Sequence, residues 1–175
     1  MAVMETWEVL SDAFGRIETV VSGVLEGLEL DKVNWRPGGE GNSIAWLLWH
    51  LARIQDEQIA EVAGIDGIWS AAGYAPRFAF ALDEKDTGYG HSPQQVDAVQ
   101  LKDLDLLRQY HEAVLAQSLG FLRGLDNVEL DKIVDDHWDP PVTLGVRLVS
   151  IVDDCLQHAG QAAYIKGLAD GLWRK

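Results

Sequence analysis

The sequence predicts an all-α fold, a four-helix bundle. Three observations point to it: four long segments with apolar residues recurring every three or four positions, glycine- and proline-bearing interruptions between them, and no alternating strand pattern. A chain of 175 residues can bury roughly 70% of its unfolded surface, so residues 1–175 are read as one domain.

The first helix is expected from about Thr6 to Leu28, with Trp7, Leu10, Phe14, Ile17, Val21, Val24 and Leu28 forming one apolar stripe. Pro37, Gly38, Gly39 and Gly41 interrupt it and build a loop. Asn42 or Ser43 then caps a second helix running to about Ala63. Its first half is apolar around most of its circumference, which predicts a helix enclosed by the others. From Gly64 to Ser92 the pattern breaks up into a long crossover loop between helices two and three, and loops of this length commonly serve function. Ser92 as N-cap and Pro93 at the first position open a third helix, expected to run unbroken to about Leu122. A second loop, from about Gly124 to Pro141, leads through Thr143 into the last helix, Leu144 to Leu172. Inside that helix, Gly145, Gly160 and Gly167 suggest close approach by neighbouring helices.

The net charge of −14 arises from dispersed acids, and the basic residues are single and widely spaced. Such a surface repels phosphate backbones, so nucleic acid is not an expected partner. Neither a leader nor a run of about 18 apolar residues is present, so the expected setting is the cytoplasm, without membrane insertion. One cysteine, Cys155, excludes an internal disulfide and any multi-thiolate zinc site, leaving His and carboxylate groups to carry metal chemistry. Its side chain turns about 100° from that of Asp154, which predicts a packed thiol. The seven tryptophans are expected in the core or at a homodimer contact.

Asp154 and His158 lie four apart on the last helix, about 40° apart in rotation and one turn apart in height, so their heads can meet at one ion. With Ser150, Gln157 and Gln161 they form a polar stripe free of Lys and Glu, as if facing a cavity. On the second helix His50 sits within Trp46-Leu-Leu-Trp-His-Leu. A buried imidazole needs partners on both nitrogens, and a metal on one with a hydrogen bond on the other satisfies it. His50, Asp154 and His158 thus form a two-histidine, one-carboxylate candidate set with open positions, and a buried hydrogen-bond network is the alternative. The set suits non-haem iron. His137, in Asp-Asp-His-Trp-Asp, and Gln161 are candidates to orient a small-molecule substrate. Arg53 and Arg147 are candidates for an anionic group of substrate or thiol cofactor, surface pairing with acids being the other reading. His91 and His111 are expected at the surface.

The strings NSIAWLLWHLARIQD and DDCLQHAGQAAYIKGL resemble the DinB/YfiT-like superfamily of metalloenzymes, whose actinobacterial branch includes mycothiol-dependent maleylpyruvate isomerase. The helix order and the long crossover loop extend the resemblance over nearly the whole chain. It implies a metal, zinc by preference or nickel, held by a second-helix histidine, here His50, and a pair four apart on the last helix, here Asp154 and His158. Relatives carry His, or in the mycothiol branch Glu, where this chain has the shorter Asp154. Gln161 falls where some relatives have a further His. The implied activity is thiol-dependent isomerisation or transfer using a low-molecular-weight thiol, with hydrolysis second. A non-catalytic, small-molecule-binding or self-associating bundle with a decayed metal site is the competing expectation.

Overall fold

The computed structural model describes residues 4–172 and consists chiefly of four long helices. Their order in the chain is α1 (Thr6–Leu25), a short α2 (Leu30–Asn34), α3 (Ile44–Ala63), short α4 (Ile68–Ala71), α5 (Tyr74–Phe78) and α6 (Pro93–Ala98), then α7 (Leu104–Arg123) and α8 (Leu144–Ala169). Around the bundle α1 packs on α7 and α8, and α3 packs on the same two, so α1 and α3 lie across a diagonal. This is the expected all-α bundle.

Every residue of α3 from Ile44 to Asp56 is buried, which is what its all-round apolar surface demands. Ser43 starts this helix by accepting a hydrogen bond from the Trp46 N–H, and Gly64, in the left-handed conformation, ends it. Phe14, Ile17, Val21 and Val24 of α1 meet Leu107, Val114 and Leu122 of α7 and Leu148, Ile151 and Ala159 of α8 in a common core.

The elements differ from expectation in several places. Helix α1 stops at Leu25 because Gly27 takes φ +64°, so Leu28 packs from outside the helix. The predicted third helix is two helices. Ser92 and Pro93 open α6 as expected, but the Asn34 side chain bonds both the N–H and the carbonyl of Leu101, and Asp103 restarts the chain as N-cap of α7. The loop before α8 holds a small antiparallel hairpin, β1 (Ile133–Asp135) with β2 (Val142–Thr143), too short to show alternation. Gly160 is exposed with nothing near its Cα hydrogens, so it marks no helix approach, whereas Gly145 abuts the Leu130 carbonyl. Trp46, Trp49 and Trp69 are core residues, Trp35 and Trp138 are exposed, and Trp173 lies outside the described residues. No described helix is long and apolar enough to cross a membrane.

Candidate metal centre

Helices α3 and α8 pack along their lengths, which carries His50 to the Asp154–His158 face. One ligand atom from each of His50, Asp154 and His158 lies within 4.8 Å of the others. The His50 and His158 rings sit 4.8 Å apart at 73°, and His158 Nε2 is 3.6 Å from Asp154 Oδ1, too long for a hydrogen bond.

The tautomers follow from the partners. His50 Nδ1–H donates to the Thr87 carbonyl, which can only accept, so Nε2 keeps its lone pair for the centre. His158 Nδ1 bonds Gln161 Oε1 at 3.1 Å, again leaving Nε2 toward Asp154. Burial pushes the His50 pKa below its ordinary value; the Thr87 carbonyl opposes this and the neighbouring His158 adds to it. The neutral imidazole that ligation requires is thereby favoured.

Asp154 Oδ2 is itself shielded and has no hydrogen-bond partner, while the side chain as a whole is 40% exposed. A carboxylate oxygen in that state is costly unless a cation neutralises it. Two imidazole nitrogens left free by the Nδ1 hydrogen bonds, within 4.8 Å of an Asp154 carboxylate oxygen, fit a divalent cation and leave its other positions open. A closed hydrogen-bond network, the alternative reading, would have satisfied Oδ2.

The remaining candidate residues lie elsewhere or act on the ligands. Gln161 bonds the His158 ring, a candidate ligand, through its Oε1. His137 is 90% exposed at the tip of the hairpin, held by Asp135 and Asp136, and the structure does not bring it to the His50 cluster. Arg147 is bound to Asp135 at 3.0 Å and lies near Glu61, so its charge is already matched. Arg53 is buried, stacks on Trp69, donates to the Asp86 carbonyl at 3.2 Å and lies 3.8 Å from Asp56. Of the expected polar stripe, Ser150 turns back to the Val146 carbonyl and Gln157 to Asp153, both at the surface. Cys155 is buried as expected and burial pushes its thiol pKa far up.

Two histidines expected at the surface are inside. The His91 side chain is 2% exposed; its Nδ1 accepts from Trp46 Nε1 at 3.0 Å and its Nε2–H donates to Asp86 Oδ1 at 2.7 Å. His111 is buried in α7 and donates to the Leu48 carbonyl at 2.9 Å, its pKa pushed down by burial to about 4. Asp56, a fully buried acid, accepts from the Ile68 and Trp69 N–H groups and from the Tyr110 hydroxyl, and so ties α4 and α7 to α3. A cavity of about 470 Å³, lined by Trp49, Trp69, Phe80, Asp83 and Glu84, has none of the three metal-site residues in its wall.

Comparison with known proteins places the chain in a family. The solved structure of a conserved protein from Enterococcus faecalis is 30% identical, superposes with a TM-score of 0.91, and the match covers 97% of this chain and 99% of that one. No curated protein matches the chain. The model of the DinB superfamily matches residues 13–162, a span that takes in both helices of the centre. With so long a match on so closely shared a fold, the chain belongs to the DinB superfamily.

Proposed function

We propose that this protein is a metal-dependent enzyme acting on a small molecule, with His50, Asp154 and His158 holding one divalent cation. The reading rests on one observation: a carboxylate oxygen of Asp154 lies within 4.8 Å of ring nitrogens of two imidazoles, His50 and His158, whose Nδ1 atoms are already engaged. Zinc is the preferred ion, with nickel or iron compatible with the same donors. Such a cation supplies Lewis acidity, making a nucleophile of water or a thiol near neutral pH. The chain's own residues hold the ligand tautomers through Thr87 and Gln161 and wall the centre with the Trp46 indole.

The implied reaction is transfer or isomerisation with a low-molecular-weight thiol of the mycothiol kind, as in the actinobacterial branch, with hydrolysis second. That thiol comes from solution, because Cys155 is buried and held protonated. A reducing cytoplasm suits this chemistry. Elemental analysis of tag-free protein, followed by turnover assays on thiol adducts, tests the reading; a stoichiometric ion lost in His50→Ala supports it.

A self-associating bundle is the second reading, favoured by the exposed row Val146, Val149, Leu156 and Tyr164 along α8. Sedimentation of the wild type against Val149→Glu tests for a homodimer through that row.

A further inference from the structure

The segment from Asp86 to His91 lies against the back of His50 and is tied down at several points. Arg53 donates to the Asp86 carbonyl, the Asp86 side chain accepts from the Gly88 N–H at 2.9 Å, and the same oxygen accepts from His91 Nε2–H. His91 in turn accepts from the indole N–H of Trp46. Trp46 is the surface on which both candidate ligands rest: its ring stacks on His50 at 4.7 Å and meets the edge of His158 at 6.0 Å. Between the ties, the Thr87 carbonyl takes the His50 Nδ1–H. The strap thus acts on His50 twice, by accepting its Nδ1–H at the Thr87 carbonyl and through the plane of Trp46.

We propose that His91, braced by Asp86, is a positioning residue for the metal centre, setting the tilt of the Trp46 indole and the placement of the Thr87 carbonyl so that His50 presents Nε2 in one orientation. The inference rests on the metal reading above and adds to it a residue that touches no metal. Outer partners of ligating histidines typically contribute 10- to 100-fold in metal affinity. A tether acting through a stacked ring and a backbone carbonyl belongs at the lower end of that range. A purely structural His91 would alter the stability of the metal-free protein and leave the affinity of the folded protein unchanged.

The test measures Zn²⁺ affinity of the full chain by competition with a chromophoric chelator, and the visible spectrum of the Co²⁺-loaded protein, for wild type, His91→Phe, His91→Asn and Trp46→Phe. Phe at 91 removes both hydrogen bonds, Asn keeps an acceptor for the indole, and Phe at 46 cuts the same tether from its other end. We expect about tenfold weaker Zn²⁺ binding and a shifted Co²⁺ spectrum in His91→Phe, with partial rescue in His91→Asn. Trp46→Phe, which also shrinks the ring on which His50 rests, should weaken binding at least as much as His91→Phe, and the two together should cost less than their sum. If His91→Phe does not fold, His91→Asn and Trp46→Phe decide the matter on the same readouts. Wild-type Zn²⁺ affinity and an unchanged Co²⁺ spectrum in the folded variants would overturn the role of His91 while leaving the metal reading intact. Failure of the wild type itself to take up Zn²⁺ or Co²⁺ would overturn both.

Discussion

The indole of Trp46 lies on the imidazole of His50, their centroids 4.7 Å apart and their planes 19° from parallel. Gly88 closes over the same pair from the strap: a Cβ there would come within 2.8 Å of His50 Nδ1 and 3.2 Å of Trp46, at φ +94°. Gly88→Ala should therefore destabilise the metal-free protein by roughly 1–3 kcal/mol from backbone conformation alone, and more if the ring cannot shift. Urea denaturation measures this, and a loss below about 0.5 kcal/mol would show that the strap yields freely.

Asp56 carries no accessible surface and accepts from two backbone N–H groups and the Tyr110 hydroxyl beside the Arg53 guanidinium. Asp56→Ala would leave these donors and a buried cation without their acceptor. The expected loss is about 3–5 kcal/mol, seen as a lower urea midpoint, with any folded fraction keeping its metal ligands.

Stability should depend on pH through His111. Burial holds its pKa at about 4, so the native protein refuses a proton that the unfolded chain accepts near 6.5. The contribution is complete above about pH 6.5, falls as pH drops from there toward 4, and levels off below; its full size is roughly 3 kcal/mol. His111→Gln, which keeps a donor for the Leu48 carbonyl, should flatten that part of the stability curve. An unchanged slope between pH 6.5 and 4 in the variant would assign the effect to other groups.

The Cys155 thiol is buried against the Leu51 carbonyl, and burial raises its pKa. A thiol-specific reagent at neutral pH should label it only at the rate of unfolding, with denaturant exposing one reactive group per chain. Rapid labelling of native protein would contradict that placement.

Both halves of the candidate centre were legible in sequence because each depends on local pattern. His50 stands in an apolar run that only a buried helix tolerates, and Asp154 and His158 share one face at a spacing of four. His111 carried a legible signal that its neighbour Glu112 obscured, since Leu107, Tyr110, His111, Val114 and Ser118 fall on one buried face of α7. His91 carried none: its burial depends on the strap folding back onto Trp46, a contact between residues 45 positions apart. The break between α6 and α7 is hidden for the same reason, because the Asn34 side chain that satisfies Leu101 lies 67 residues away. For Arg53 and Arg147 the sequence leaves open an anionic ligand or pairing with acids; the partners, Asp86, Asp56 and Asp135, come to them only in the folded chain.

The most direct test is the metal content of tag-free protein, measured by inductively coupled plasma mass spectrometry after dialysis against Zn²⁺ and desalting. One ion per chain in the wild type, and none in His50→Ala or Asp154→Ala of unchanged helicity, is the predicted result. A wild type that retains no ion, or variants that retain as much as it does, would contradict the assignment of His50, Asp154 and His158 to a common cation.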